Sequence, residues 1–383
     1  VSSPVPPPTL RPGALPARIA VYLPSLAGGG AEKTSVTLAN EFARRGYLVD
    51  LVLVKARGAF LADVSPSVRI VDLLSRGVVL STPGLVSYLR SARPEAMLSV
   101  MDHANVIAIV ARWIARVDTR LVVSVHGVQL FAKNFSRVSR AGLVLMLARL
   151  LYAKSDAILS VSEGLADKVA AALELPRLSI NVVYNPIDVK KISDLADDRS
   201  ERHLHDGGDK PFLLAAGRLK EVKDFKTLIR AFAKVRKELD VNLIIIGEGA
   251  QRLELEAEVS RLGLGNQVMM PGFISNPFPL MRQSSVFVLS STSEGLSLVL
   301  LEAMACGTQV VSTDCPYGPS EILANGRWGR LVPVGDYDAL AQAILATLRD
   351  RTPPEVVSRA ASFGLDAAVE GYLRLLMPSR PSR

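Results

Sequence analysis

Residues 285–323 read SVFVLSSTSEGLSLVLLEAMACGTQVVSTDCPYGPSEIL, and the rest of the chain can be ordered around them. Residues 286–289 are an uninterrupted apolar run of strand length. A polar loop then delivers Glu294 to a helix expected from about residue 296 to Gly307, and residues 309–312 make a second buried strand. Glu302 comes eight positions after Glu294. At ~3.6 residues per turn that is about two turns, which would set both carboxylates on one side of the element. A helix N-terminus offers free N–H groups and a partial positive charge, which suits a phosphate. The acids cannot share that task, because carboxylates repel phosphate. Sugar hydroxyls are their better partners, so the layout suits a sugar joined to a nucleotide diphosphate.

Two glutamates eight apart also occur on any solvated helix face. Here the helix itself argues otherwise: Leu296, Leu298, Val299, Leu300, Leu301, Ala303, Met304 and Ala305 make it apolar nearly all round, and it must be buried. A carboxylate in such a helix is rarely left without a partner. The stretch resembles the signature of the retaining glycosyltransferases of family 4, an E-x7-E motif followed by a glycine turn and a strand. That resemblance covers roughly residues 18–376, close in the second half and looser in the first. It implies an α/β fold of two Rossmann-like, doubly wound domains facing a central cleft, the GT-B type.

With 383 residues, 49% of them hydrophobic, the chain can bury the cores of two or three domains. Cys306 and Cys315 are its two cysteines, which fits buried thiols in a reducing compartment and argues against a disulfide framework. No apolar run reaches the length of a membrane span, and no signal peptide is read at the start. The expectation is a cytoplasmic protein, or one peripheral at the inner face of the cell membrane. The net charge of +8 is uneven: residues 1–185 hold 21 Lys and Arg against 12 Asp and Glu, residues 186–383 hold 24 against 25. The first half therefore faces something anionic, such as a membrane surface, lipid phosphates or nucleic acid.

Residues 1–16 carry prolines at 4, 6, 7, 8, 12 and 16 and read as a disordered tail. Residues 17–188 read as an N-terminal Rossmann-like domain that binds acceptor. Its first strand leads into Gly28-Gly29-Gly30, a helix and a strand at 49–54. The order invites a nicotinamide site, yet the G-x-G-x-x-G spacing is missing and Asp50 lies at the wrong end of its strand. The glycines more simply let a backbone approach a ligand closely. Residues 119–155 contain no acid. Within residues 128–154, Lys133, Arg137 and Arg140 accompany Phe131, Phe135 and the apolar run 141–148, a basic amphipathic pattern that fits an anionic membrane interface or a core helix with a solvated face.

Residues 189–210 read as a linker, in which His203, His205 and Asp206 are more simply solvated than metal-bound. Residues 211–355 then repeat the β/α alternation as a C-terminal domain for the donor, and 356–383 are a C-terminal helical segment that in the family returns to the first domain. Gly217-Arg218-Leu219, with Lys223 following, resembles the family's G-R-L-x-x-x-K element. The resemblance implies that Arg218 and Lys223 hold the donor pyrophosphate. It assigns Glu302 to the ribose, Glu294 to the transferred sugar, and the backbone of Gly295, Leu296 and Ser297 to sugar and phosphate. Gly272 and Phe273 lie where the family receives the nucleobase. His126, after a strand, matches a family position near sugar or acceptor, and Gly28-Gly29-Gly30 matches an acceptor and phosphate loop. Arg218, Lys223, Glu294 and His126 are thus the candidate catalytic set.

No D-x-D of the kind that the other major transferase fold uses to hold a metal is assigned here, so no metal or cofactor is expected; the nucleotide-sugar is a substrate. The expected activity moves a hexose or N-acetylhexosamine, with retention, from a nucleotide diphosphate donor (a UDP-sugar) to a glycan or lipid-pyrophosphate-linked acceptor in surface polysaccharide assembly. The substrate class leans on the resemblance of the ending Gly318-Pro319-Ser320-Glu321 to family members of that kind. Three rivals stand beside it. A non-hydrolysing UDP-sugar epimerase shares the architecture but would need a cluster of acids and histidines where the first half has His103 and His126. A binding protein without turnover would not need Arg218, Lys223, Glu294 and Glu302 together. A nucleic-acid binder is suggested by the basic charge and opposed by the lack of aromatic clusters.

Overall fold

A computed structural model of the chain describes residues 16–127, 139–198 and 210–378. It divides into two α/β units. One comprises Val1–Val161, Ala166–Pro186 and Asp366–Arg383, the other Ser162–Leu165 and Ile187–Leu365.

In the first unit, strands β1 (Arg18–Leu23), β2 (Leu48–Leu53), β3 (Val68–Asp72), β4 (Ala96–Val100), β5 (Arg120–Val125), β6 (Ala157–Ser160) and β7 (Ile180–Val182) form one parallel sheet in the order β3-β2-β1-β4-β5-β6-β7. The central strands are buried runs such as Ile19 to Leu23, as a sheet covered on both faces requires. The helices between them are α1 (Gly30–Arg44), α2 (Thr82–Ala92), α3 (Asp102–Ala115), α4 (Arg140–Leu151) and α5 (Glu163–Leu173). Asp50 is fully buried inside this sheet, held by Arg18 at 3.0 Å, by Arg69 at 2.5 Å and by the Tyr88 hydroxyl at 2.7 Å. Its place in a structural ion cluster fits its location away from the nucleotide-recognising end of the strand. The strand order reverses between β1 and β4, where loops leave the carboxyl ends in opposite directions and open a crevice.

Within residues 189–210, expected as a linker, Val189–Ala196 forms a helix, α6. The Asp188 carboxylate caps it by accepting from Lys191 N–H at 3.0 Å, and Ile192 and Ala196 are buried four positions apart. The second unit continues with β8 (Phe212–Ala216), α7 (Phe225–Glu238), β9 (Asn242–Ile246), α8 (Arg252–Arg261), β10 (Val268–Gly272), α9 (Phe278–Gln283), β11 (Val286–Leu289), α10 (Leu298–Ala305), β12 (Val310–Thr313), α11 (Pro319–Ile322), β13 (Arg330–Val332), α12 (Tyr337–Leu348) and α13 (Val356–Ala361). Its parallel sheet runs β10-β9-β8-β11-β12-β13. The helix α7 shows why the pattern folds: Phe225, Leu228, Ile229, Phe232 and Val235 recur at helical spacing and all are buried, each contributing about 1.5–3 kcal/mol. Here the order reverses between β8 and β11, so the loops after residues 216 and 289 flank one crevice.

A last helix, α14 (Leu365–Leu376), falls with the first unit from Asp366 onward. Asp366 pairs with Arg45 at 2.7 Å, the Arg120 guanidinium donates to the Leu375 carbonyl at 2.6 Å, and Tyr372 is fully buried. Gly371 packs so closely on Val183 that an added Cβ would lie 2.8 Å from its side chain.

Candidate functional site

The second unit gathers the acids and cations of the central stretch at its strand-order reversal. After β8 the chain turns at Gly217, whose N–H donates to the Ile246 carbonyl at 2.9 Å; Leu219 N–H donates to Glu248 O at 2.9 Å. Gly247 makes this joint possible. Its φ is +135°, and a Cβ there would stand 2.0 Å from the Gly217 carbonyl oxygen, so no other residue fits. The loop reaches Lys223 and is then pinned to the loop after β11: Thr292 N–H donates to Val222 O at 2.8 Å and Ser290 Oγ to Lys223 O at 2.8 Å.

That pinning sets Lys223 Nζ 2.6 Å from Glu294 Oε1, and Ser291 Oγ donates to the same oxygen at 2.6 Å. Both charged side chains are largely buried, 20% and 12% exposed, so the pair is a fixed feature and not a surface encounter. Cys315 lies beside it. Burial, reinforced by the Glu294 charge, pushes its thiol up to about 12, so it stays protonated.

The two glutamates are placed differently from the expectation. Glu294 is not on the helix, because α10 begins at Leu298; it sits in the preceding loop, with its N–H donating to the Pro316 carbonyl at 2.9 Å. The helical count between Glu294 and Glu302 therefore does not apply. Glu302 is on α10 and is 7% exposed. Ser297 stands at the position before that helix in extended conformation, without a side-chain bond to its first turn, and is buried, as is Leu296. The Gly295 carbonyl accepts from Ser162 Oγ at 2.8 Å. Gly318, φ +92°, lets the following turn pass the loop closely: a Cβ there would lie 3.1 Å from Leu296 Cα. Further along the edge, Gly272 ends β10 with its carbonyl accepting from Gly247 N–H at 2.8 Å, and Phe273 beyond it is 64% exposed. Arg218 is exposed one residue past Gly217. Thus Gly217, Arg218, Lys223, Gly272, Phe273 and residues 294–297 share the carboxyl edge of one sheet, with Glu302 on the helix that follows.

The first unit has its own edge. Gly28, Gly29 and Gly30 lead from β1 into α1. His126 follows β5; its Nε2 lies 2.9 Å from Ser124 Oγ, while Nδ1 is buried with no protein partner. Burial pulls its pKa down to about 4, so the ring is neutral at ordinary pH. Sequence reading passed over Asp102, which opens α3 after Met101, a residue with φ +83°. Burial raises the Asp102 carboxyl to about 7, opposed in part by the Tyr152 hydroxyl 3.5 Å from Oδ1. Asn105 Nδ2 donates to that hydroxyl at 3.1 Å and to the Ser124 carbonyl at 3.0 Å, linking the β4 and β5 ends. An acidic residue directly after an apolar strand was the available signal.

The literal D-x-D of the chain, Asp336-Tyr337-Asp338, is a helix cap. Asp336 Oδ1 accepts from Asp338 and Ala339 N–H at 3.0 and 2.9 Å, and Asp338 pairs with Lys234. Among the described residues no group of three or more His, Cys, Asp or Glu is arranged to hold a metal ion; His203, His205 and Asp206 lie outside them. Among the described residues no helix is long and apolar enough to cross a membrane.

Comparison with known proteins agrees with this arrangement along the chain. The model of "Glycosyltransferase Family 4" matches residues 28–191, and that of "Glycosyl transferases group 1" matches residues 197–362. Over 350 residues the chain is 29% identical to the N-acetylgalactosamine-N,N'-diacetylbacillosaminyl-diphospho-undecaprenol 4-alpha-N-acetylgalactosaminyltransferase of Campylobacter jejuni, covering 87% of this chain and 90% of that protein. It is 28% identical over 359 residues to the lipopolysaccharide core biosynthesis glycosyltransferase LpsE of Rhizobium meliloti, covering 91% and 96%. Its fold matches that of Anabaena Alr3699/HepE, solved in complex with UDP and glucose, with a TM-score of 0.79 at 22% identity over 94% of this chain and 99% of that one. Two matched halves, two parallel sheets and the E-x7-E stretch at one strand-order reversal make the chain a family 4 glycosyltransferase of the GT-B type.

Proposed function

We propose that this glycosyltransferase moves a hexose or N-acetylhexosamine, with retention of configuration and without a metal, from a UDP-sugar to a lipid-pyrophosphate-linked or polysaccharide acceptor. The observation that carries the reading is the Lys223, Glu294 and Ser291 cluster at the strand-order reversal, where α/β sheets bind ligands. As the bond from sugar C1 to the pyrophosphate oxygen breaks, charge grows on that oxygen. Lys223 and Arg218 stabilise it, and the first-turn amides of α10 add a partial positive charge. The acceptor oxygen bonds to C1 on the same face, and its proton passes to the departing phosphate oxygen. Glu294 takes a sugar hydroxyl while holding Lys223 in place, the backbone of Gly295, Leu296 and Ser297 lines sugar and phosphate, Glu302 takes the ribose, and Gly272 and Phe273 border the base.

On the first unit, Gly28-Gly29-Gly30 and the neutral His126 ring serve the acceptor; the buried Nδ1 has hydrogen-bonding capacity left for a hydroxyl. The lipid-linked acceptor class is supported by the named activity of the Campylobacter relative, and with such an acceptor the enzyme would work at a membrane surface. Of the proposed membrane contact in residues 128–154, positions 128–138, with Lys133 and Arg137, lie outside the described residues.

A thermal-shift series with UDP, GDP, UDP-hexoses, UDP-N-acetylhexosamines and GDP-mannose, run with EDTA and with magnesium, tests the donor. A ligand bound only by the folded state raises the midpoint with its concentration over Kd. UDP and one UDP-sugar are expected to shift it equally in EDTA. No shift with any nucleotide would remove the transferase reading, and a shift that needs magnesium would remove its metal-independent part. The anomeric configuration of the product, read by NMR, decides retention.

A further inference from the structure

Two carboxylates of the first unit are treated in opposite ways. Asp50 is met by Arg18, Arg69 and the Tyr88 hydroxyl, and against the pull of burial they hold it below the ordinary carboxylate range. Asp102, where β4 passes into α3, has no such support. Among the described residues no cation pairs with it, and the Tyr152 hydroxyl, 3.5 Å from Oδ1, is the single hydrogen-bond donor near its carboxylate. Burial therefore dominates and raises it to about 7.

Other costs gather around this group. The residue before it, Met101, has φ +83°, a conformation that strains a non-glycine residue and persists only where its surroundings impose it. Asn105, fully buried on α3, donates to the Tyr152 hydroxyl at 3.1 Å and to the Ser124 carbonyl at 3.0 Å, yet its own Oδ1 has no protein partner. Ser124 Oγ in turn stands 2.9 Å from His126 Nε2, and Nδ1 of that ring is unpartnered as well. Ser99 Oγ, on β4, is a further buried atom without a protein partner. Buried polar atoms are rarely left unbonded, so their gathering at two adjacent strands beside an uncompensated carboxylate marks a place that another molecule completes.

We propose that Asp102 is a specificity-determining residue of the acceptor site, where its carboxylate accepts a hydroxyl of an uncharged acceptor sugar and repels an acid in the same position. This role rests on the proposed placing of the acceptor at the first unit's sheet edge, and adds the residue that selects the sugar. Asp102 follows β4, at the reversal of strand order where α/β sheets bind ligands. An ionised carboxylate only accepts, whereas a neutral imidazole and a tyrosine hydroxyl offer both donors and acceptors. A row of sugar hydroxyls complements that set, since each gives one proton and takes another. A hydroxyl donating to Asp102 also supplies the stabilisation that the protein withholds from its charge, so binding relieves a cost that folding leaves in place. An acidic ligand group would bring a second negative charge to a carboxylate with no cation beside it among the described residues.

The test uses the full chain and para-nitrophenyl glycosides as acceptor probes: the α-glucoside and α-galactoside, with the α-glucuronide and α-galacturonide as their acidic counterparts. Titrations followed by saturation-transfer NMR give Kd for each. The parent chain is expected to bind a neutral glycoside and to bind its uronide about tenfold more weakly or worse. Asp102→Asn should weaken the neutral glycoside by about tenfold, the size of a lost hydrogen bond to a charged group. It should also erase the discrimination against the uronide, because an amide can donate to an acid where a carboxylate repels it. Tyr152→Phe leaves the carboxylate in place and removes the hydroxyl beside Oδ1, so it should cost less affinity and keep the discrimination.

Asp102→Asn is close to isosteric and removes a charge whose burial is penalised, so the variant folds, and a cooperative melt with the parent's UDP shift reports that it has. A merely structural Asp102 would change neutral and acidic glycosides alike and keep their ratio, which overturns the role. So does a parent chain that binds the uronides as tightly as the neutral glycosides, or binds none of the probes. His126→Ala separates this role from the reading beneath it. If that variant weakens the glycosides and Asp102→Asn does not, the acceptor edge stands and Asp102 loses its part; if neither alters binding, both fall. Glycoside binding without a UDP shift in the parent chain would remove the donor reading and leave Asp102 in place.

Discussion

Lys223 and Glu294 are 71 positions apart in the chain and 2.6 Å apart in the fold, and their roles separate under substitution. On the proposed mechanism Lys223→Ala removes a cation from the leaving group and should lower kcat by about 10²–10³, the usual loss for one preorganised electrostatic contact. Glu294→Gln removes a charge that Lys223 now faces. It should slow transfer while UDP binds as tightly or more tightly, because the cation is released to the pyrophosphate. Single-turnover rates and UDP titrations on the same preparations decide this, and parallel losses of rate and affinity in Glu294→Gln would deny the acid its place at the sugar.

In the first unit burial shifts His126 and Asp102 so that they act at opposite ends of the pH range. With its pKa drawn from 6.5 to about 4, His126 gives stability that is present above pH 6.5 and is lost as pH falls through about 4. Asp102 is raised from 3.8 to about 7, so folding is penalised as pH rises from 3.8, fully so above about 7. Asp102→Asn should therefore raise the melting temperature at pH 8 and leave it nearly unchanged at pH 4. The ¹⁵N shifts of His126 should report a neutral ring at pH 6.

Among the elements, those with a long apolar period were legible. The buried strands and α7 follow from runs such as 286–289 and from the spacing of Phe225, Leu228, Phe232 and Val235. What escaped was short or set by tertiary contact. α6 has only two buried apolar positions, Ile192 and Ala196, among charged neighbours, and a composition reading sees a linker. Its readable sign was Asp188 before the first turn. Asp188→Ala should cost about 1 kcal/mol, the usual value of an N-cap, seen as a lower denaturant midpoint with unchanged slope. The start of α10 escaped for another reason. Leu296 has helical propensity, but Glu294 N–H is bound to the Pro316 carbonyl, and that long-range bond ties the preceding loop outside the helix. So the count that joined the two glutamates does not describe their geometry.

At the scale of the whole molecule, both sheets reverse their strand order once, and the candidate residues follow those reversals. Gly28 to Gly30 and Asp102 leave β1 and β4; Arg218, Lys223 and Glu294 leave β8 and β11. The alternation of strands and helices made two such sheets legible, whereas the order of strands within each depends on crossovers that no local pattern encodes. The chain also returns to its first unit at the end. From Asp366 onward α14 supplies the Arg45 pair, the Leu375 carbonyl for Arg120 and the buried Tyr372 ring. Replacing a buried aromatic by alanine costs about 3–5 kcal/mol, so Tyr372→Ala acts on the first unit, where that ring is fully buried. The residues proposed for the donor belong to the second unit. Tyr372→Ala should therefore speed proteolysis within strands β1 to β7 while UDP still protects the segment from β8 to α13. Equal loss of protection in both segments would mean that the donor site depends on the first unit's packing, and would move the explanation of Lys223 and Glu294 away from the single sheet edge that holds them.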